Sequence, residues 1–139
     1  MSEPEFVAFL STSLRLFAKH SVPGSIHYLT MDWRHMKELL AAGGEAYDSL
    51  LNLCVWVKDN GGMGSFYRSQ HELIFVFKSG KGPHRNNVQL GKFGRYRTNV
   101  WSYPGISTMS KQGDEGNLLA LHPPSAIAAS ITNNQTNAS

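Results

Sequence analysis

Apolar residues recur every three or four positions in the first twenty residues of the chain. They are Phe6, Phe9, Leu10, Leu14 and Phe17, and this spacing is typical of an amphipathic helix. Ser2, followed three residues later by Glu5, matches a capping box. The pattern therefore predicts a helix that begins after Ser2 and ends near His20.

Three other segments have the composition of β-strands: Ser25–Met31, with β-branched and aromatic residues, and the apolar runs 53–58 and 72–78. The last two are nearly continuous in Leu, Val, Ile, Phe and Trp, which predicts strands covered on both faces inside an α/β sheet. The connection between them is rich in glycine and carries Tyr67, Arg68 and His71. We expect the functional surface to lie in this connection.

A second helix is predicted after the first of these strands. Asp32 occupies the N-cap position for a helix over residues 33–42, and Gly43 and Gly44 would end that helix. Asp32 also follows the end of a strand, where α/β folds place polar site residues, so both interpretations stay open. Residues 46–51 are predicted to form a short helical turn that leads into the next strand.

Residues 79–106 are rich in Gly, Asn, Arg and His and show no regular period. An irregular stretch of this length inside a compact domain is usually functional, and we interpret it as a recognition insert. Residues 124–139 are small and polar and are predicted to be a disordered tail. The expected organisation is one domain over residues 1–123, containing the insert, followed by the tail.

Composition narrows the class of protein. With 139 residues, of which 41% are hydrophobic, the chain can form one globular domain. Its one cysteine, Cys54, lies in an apolar run, so a disulfide framework and a cysteine-based zinc site are excluded and a buried thiol is expected. No apolar run approaches the ~20 residues that cross a bilayer, and the first residues are acidic rather than signal-like, so we expect a cytoplasmic protein without a membrane partner.

Histidines and glycines supply no recognised catalytic or metal motif. The six histidines, at positions 20, 27, 35, 71, 84 and 122, lack paired spacing suited to a metal, so no metal site is expected. Gly61, Gly62 and Gly64 precede a strand and lack the lysine of a phosphate-binding loop. A hairpin connection explains these glycines at least as well.

Charge is strongly asymmetric along the chain. Residues 61–111 contain eight of the 13 Lys and Arg against one acid, a balance of +7, and the remainder carries five bases and nine acids, or −4. Eight of the 15 aromatic residues share this basic segment. Basic side chains interleaved with aromatic rings suit a phosphate backbone and exposed base faces, although a solvated basic surface has the same composition.

Forked side chains in the insert can bind base edges, and lysines there suit phosphates. Together with the two residues of the glycine-rich connection, they form a set of candidate DNA-binding residues: Tyr67, Arg68, Lys81, Arg85, Asn86, Asn87, Lys92, Arg95, Arg97 and Asn99. Whether an individual arginine contacts a base or a phosphate stays open. No catalytic residue is predicted.

The segments W-x-K-x-N-G-G, starting at Trp56, and Y-R-x-x-H-E, starting at Tyr67, carry a family resemblance. Over about residues 3–123 the chain resembles the amino-methylating DNA methyltransferases of restriction-modification systems, which use S-adenosylmethionine (SAM) to modify N6 of adenine or N4 of cytosine. The resemblance implies a partial three-layer Rossmann-like sheet of about three strands with two helices. Residues 53–58 and 72–78 would pair as a hairpin, residues 79–106 would be the target-recognition region, and Tyr67 and Arg68 would lie near the extruded base.

Two motifs of that family do not occur in this sequence: Asp-Pro-Pro-Tyr and the glycine-rich SAM loop. His122 and Pro123 look like the start of a third motif, and the similarity stops after them. Methylation of an exocyclic amine needs a group that orients the amine and a pocket for the donor. We therefore expect an internal fragment of such an enzyme that binds double-stranded DNA but is inactive alone and lacks its own SAM site. The alternatives are a subunit complemented by a second chain that carries the missing motifs, and a small basic nucleic-acid-binding module without methylation activity.

Overall fold

The computed structural model describes residues 1–84, 86 and 88–104, so the predicted tail lies outside the described residues. Two helices are present there, α1 (Glu3–Lys19) and α2 (Met36–Ala46), with a 3-10 turn at Trp33–His35 before α2. The strands are β1 (Ser25–Met31), β2 (Ser49–Val57), β3 (His71–Ser79) and β4 (Val100–Ser102). They form a four-stranded sheet in the order β1-β3-β2-β4. The predicted α/β class, a partial Rossmann-like sheet with two helices, is confirmed.

Strands β1, β2 and β3 form the regular part of the sheet. β1 runs antiparallel to β3, with Ser25 opposite Ser79 and Met31 opposite Leu73. Hydrogen bonds from Asp48 N–H to the Lys78 carbonyl (3.0 Å) and from Lys58 N–H to the Gln70 carbonyl (2.9 Å) flank the two ends of the β2–β3 pair. These two bonds show that β2 and β3 are antiparallel, which confirms the predicted hairpin.

Helix α1 begins and ends as its sequence predicts. The Ser2 hydroxyl accepts from Glu5 N–H, and the Glu5 carboxylate accepts from Ser2 N–H at 2.7 Å, which completes the capping box. His20 is the C-cap. Leu10 and Leu14 are buried, because residues four apart share one face of a helix.

The chain divides into two compact units, which we call the core unit and the basic unit. The core unit comprises Met1–Val55 and Glu72–Arg85, and the basic unit comprises Trp56–His71 and Asn86–Ser139. In the core unit, α1, α2 and β3 contribute to one cluster of buried residues: Leu10, Leu14, Leu39, Ala42, Tyr47, Leu73, Phe75 and Phe77. The Phe77 ring is 1% exposed and stacks on Tyr47 at 5.0 Å between centroids.

Helix α2 differs from its prediction at both ends. Asp32 caps the 3-10 turn, accepting from Arg34 N–H at 2.9 Å, and α2 itself starts at Met36. The prediction that Gly43 and Gly44 end the helix was wrong, because α2 continues through both to Ala46. A Cβ at position 43 would lie 2.5 Å from Phe77 Cζ, so glycine is required there for the helix to approach the buried ring.

Three further expectations were wrong. Residues 49–51, predicted as part of a helical turn, belong to β2. In the predicted strand 53–58 only Cys54 and Trp56 are buried, whereas residues 73–77 of β3 are all buried, so among the described strands β3 alone is covered on both faces. Apolar composition reports a preference for strand structure and does not report what covers the strand. The insert is not wholly irregular either, since it contributes β4.

Candidate nucleic-acid interface

Charge separates the two units. The core unit carries seven Lys and Arg and seven Asp and Glu, so its formal balance is zero. Residues 56–71 and 86–104 of the basic unit carry five Lys and Arg, namely Lys58, Arg68, Lys92, Arg95 and Arg97, against the single acid Asp59. Eight of the ten predicted DNA-binding residues belong to the basic unit. A basic surface of this kind attracts polyanions.

Hydrogen bonds join the two ends of the connection between β2 and β3, residues 58–70. At its base, Lys58 N–H donates to the Gln70 carbonyl, and the Gln70 side-chain amide donates to the Lys58 carbonyl at 2.8 Å. Further along, Gly62 N–H donates to the Ser69 carbonyl at 2.7 Å. A Cβ at Gly64 would lie 1.9 Å from the Tyr67 carbonyl oxygen, so position 64 requires glycine. We call residues 58–70 the glycine loop.

Arg68 is directed into the glycine loop. Its Nη2 donates to the Gly61 carbonyl at 2.7 Å, and its Nε lies 3.5 Å from the Gly62 carbonyl. Two of the five N–H donors of a guanidinium are therefore used within the loop. The side chain holds the loop in shape, and its charge stays at an exposed position.

Two aromatic rings protrude from the glycine loop. Phe66 is 92% exposed and Tyr67 is 81% exposed. The two rings pack edge to face, with their centroids 4.9 Å apart. Aromatic pairs prefer this arrangement, which limits the freedom of each ring while leaving most of its surface in solvent.

The second segment of the basic unit presents another exposed pair. Between Gln89 and Arg95 the backbone turns tightly, with hydrogen bonds from Lys92 N–H to the Gln89 carbonyl (3.0 Å) and from Gly91 N–H to the Arg95 carbonyl (2.8 Å). Phe93 has a φ of +54°, which is uncommon for a bulky residue. Its ring is 83% exposed, with the Arg95 guanidinium 5.9 Å from the ring centroid, and Tyr96 is 75% exposed.

The basic unit contains two buried tryptophans. Trp56 and Trp101 are both buried, and Trp56 Nε1 donates to the Tyr103 carbonyl at 3.2 Å. Tyr103 N–H in turn donates to the Val57 carbonyl at 3.2 Å. Lys58 Nζ lies 5.2 Å from the centroid of the Trp56 ring. These contacts join the β2 end to the β4 end within the basic unit.

The remaining candidates lie at several places. Lys92, Arg97 and Asn99 are exposed in the basic unit. The Asn86 side-chain oxygen accepts from Gln89 N–H at 3.1 Å and so supports the turn. Lys81 is exposed in the core unit, and Arg85 and Asn87 lie outside the described residues. The set of candidate residues did not include Phe66, Phe93 and Tyr96, whose sequence signal is that they share the segment 61–111 with most of the Lys and Arg.

Other candidate chemistry is sparse among the described residues. They contain no group of three or more His, Cys, Asp and Glu that could hold a metal ion. No helix in residues 1–84 and 88–104 is both long and apolar enough to span a membrane.

Cys54 is buried as predicted, and burial raises the pKa of its thiol, so it is not a ready nucleophile. Arg34 binds the Asp32 carboxylate with both Nε and Nη2 and lowers the pKa of Asp32 to about 2.

Among solved structures, the chain is similar to M1.HpyAVI in its complex with SAM, with a TM-score of 0.54 and 15% sequence identity. The similarity covers 74% of this chain and 55% of the M1.HpyAVI chain. Over the matched region, this chain shares the fold of that structure. It spans little more than half the length of that neighbour. No family model matches the sequence, and no curated protein matches it.

The residues that line the cavity of the core unit do not fit SAM. The donor has a carboxylate, an ammonium group and ribose hydroxyls, so its site needs several polar partners in one concave surface. A cavity of about 480 Å³ in the core unit is lined by Leu16, Phe17, His20, Ser21 and His27, which include no carboxylate for the ribose or the ammonium group. In the glycine loop, the Gly61 and Gly62 carbonyls are bound by Arg68.

Proposed function

We propose that this chain is a DNA-binding, methyltransferase-like domain of the amino-methylating class that does not transfer a methyl group on its own. The observation that carries the proposal is the segregation of charge on this fold. The core unit is balanced, and residues 56–71 and 86–104 hold five basic side chains against one acid. Neutralising phosphates with Lys and Arg releases counterions, which drives binding to DNA.

The candidate residues take different roles in this proposal. Lys92 and Arg97 are exposed and suit phosphate contacts, and Asn99 suits a base edge. Tyr67, exposed at the tip of the glycine loop, would stack near the target base, as the family resemblance implies. Arg68 would act mainly by holding the loop that presents Tyr67. Lys81, Arg85, Asn86 and Asn87 remain candidates for further phosphate or base contacts.

Fluorescence anisotropy with a labelled duplex tests the proposal. Affinity should fall steeply with salt, with a log–log slope of about −0.9 for each phosphate neutralised. The double variant Lys92→Glu/Arg97→Glu should weaken binding at least about tenfold. It should also reduce the steepness of the log–log slope by about the amount expected for two phosphates. Lys19→Glu/Lys37→Glu, which changes two exposed lysines of α1 and α2, is the matched control and should change affinity much less. Salt-independent binding, or equal effects of the two double variants, would contradict the proposal.

A complementing chain is the second candidate function. It is favoured by the poor fit of the core-unit cavity to SAM, because the lining residues include no carboxylate. A partner that supplied the missing motifs would restore both the donor site and the amine-orienting group. Calorimetry separates this candidate from a self-sufficient enzyme: the isolated chain should show no SAM binding, and micromolar binding would exclude complementation as the explanation.

A further inference from the structure

We propose that the basic unit binds unpaired nucleic-acid strands in preference to duplexes, with Phe66, Tyr67, Phe93 and Tyr96 as a stacking surface. This inference rests on the proposed DNA binding and specifies the form of nucleic acid that the surface fits. The first observation is exposure, since these four rings are 75–92% exposed. In the core unit, by contrast, Tyr47, Phe75 and Phe77 are buried.

Four exposed rings contribute little to the stability of the basic unit. A large apolar side chain left in water forgoes the stabilisation that burial would give. Phe66 and Tyr67 are in contact and both exposed, and exposed apolar patches on a protein surface mark interaction sites. Each pair also has a basic side chain within its own segment. Arg68 follows Tyr67, and the Arg95 guanidinium lies 5.9 Å from the Phe93 ring. Mixed rings and positive charge fit a polyanion with exposed π-faces better than an apolar protein surface.

The backbone holds the rings outward. At Gly64 a side chain would collide with the Tyr67 carbonyl, and Arg68 ties the loop through the Gly61 and Gly62 carbonyls. Phe93 has a left-handed φ of +54°, a conformation that persists only where the surrounding structure maintains it. Rings ordered in advance lose little further conformational freedom when a base stacks on them.

Base pairing determines which form of nucleic acid can use this surface. In a duplex, both faces of each base are stacked on neighbours, so a protein ring reaches them only after the base is extruded. In a single strand the faces are available, and stacking on aromatic side chains tolerates any base. One stacked base therefore increases affinity by about tenfold over the phosphate contacts alone. Phosphate contacts, by contrast, are available in both forms.

The test compares a labelled 20-nucleotide single strand with the duplex of the same sequence, by anisotropy at equal salt. The unmodified chain should bind the single strand at least about tenfold more tightly. Phe66→Ala and Phe93→Ala/Tyr96→Ala remove rings outside the set of candidate DNA-binding residues, and each variant should reduce that ratio several-fold and change duplex binding little. The matched control, Phe9→Ala/Phe17→Ala, removes two rings of α1 that are more than half exposed, and it should leave both affinities unchanged.

A glycine pair tests whether loop shape matters. Gly64→Ala should displace the Tyr67 backbone and reduce single-strand binding, whereas Gly62→Ala should preserve it, because a Cβ there would lie 3.6 Å from the Ser69 carbonyl. Circular dichroism and thermal unfolding check that every variant is folded.

The outcomes distinguish the two proposals. Equal affinity for both forms, or a preference that survives removal of the rings, would overturn this inference and leave DNA binding intact. Binding to neither form would overturn the proposed function as well. Pull-down of a protein partner that needs the four rings, with no preference between nucleic acids, would also overturn the inference and reassign the surface.

Discussion

The two units use the same residue types in opposite ways. The core unit is balanced in charge and buries Tyr47, Phe75 and Phe77, whereas the described part of the basic unit is positively charged and exposes Phe66, Tyr67, Phe93 and Tyr96. Aromatic content alone therefore does not separate packing from recognition. The difference between these two sets of rings lies in the backbone, because β3 and the C-cap of α2 direct the first set inward and glycine-dependent turns direct the second set outward.

The same substitution in the two units should give the sharpest contrast. Phe77→Ala removes a ring that is 1% exposed and should lower the free energy of unfolding by about 3–5 kcal/mol, because it loses burial and leaves a cavity. Phe66→Ala removes a ring that is 92% exposed and should change it by no more than about 0.5 kcal/mol. Urea denaturation followed by circular dichroism measures both. A large loss for Phe66→Ala would show that the glycine loop has a packing role and would break the comparison.

The next contrast lies within one helix. Gly43→Ala should destabilise the chain by about 1–3 kcal/mol, because the new Cβ would lie 2.5 Å from Phe77 Cζ, in a ring that is buried and stacked on Tyr47 and so has little room to move. Gly44→Ala is the matched control. Nothing lies within 4 Å of a Cβ there, so alanine should stabilise α2 by about 0.4–1 kcal/mol. Thermal unfolding measures the order of stability of the two variants and the unmodified chain. Equal effects at the two positions would mean that Gly43 does not fit against the core.

Much of the core unit could be predicted from the sequence, since its signals are local. The capping box and the apolar period define α1, β-branched and aromatic residues define β1, and a long apolar run defines β3. Gly43 was misinterpreted because its role depends on Phe77, which is distant in the sequence and supplies no local signal. β4 has only three residues, too few for a period. At Gly43, a tertiary contact outweighed local propensity.

The candidate site was only partly predictable. The segregation of basic residues is visible in the sequence and directs attention to the second unit. The exposure of Phe66, Phe93 and Tyr96 is not, because large aromatic residues are usually well buried. Arg68 shows the opposite case. It was predicted to lie near the target base, and the structure adds bonds to the Gly61 and Gly62 carbonyls that no sequence pattern indicates.

A polar network in the core unit supplies the smallest expected effect. Ser21 Oγ donates to the Phe17 carbonyl at 2.6 Å, so it can only accept from His27 Nε2, 2.9 Å away. His27 Nδ1 then accepts from the Tyr47 hydroxyl at 2.7 Å. When the imidazole is neutral, this geometry places its proton on Nε2. The network connects the end of α1 to β1 and to the C-cap of α2.

Acidification should therefore weaken the core unit. Burial lowers the pKa of His27 below its ordinary 6.5, so the unfolded chain binds this proton more readily than the folded chain. The stabilisation is complete above pH 6.5 and is lost as the pH falls from 6.5 through the folded pKa. Urea denaturation at pH 8.0 and 5.5 should show lower stability at pH 5.5, in a range where carboxylates stay ionised. His27→Gln should reduce this difference, whereas His84→Gln, at an exposed position, should retain it. If the difference persists undiminished in His27→Gln, another group is responsible and the neutral network does not control the acid response of the core.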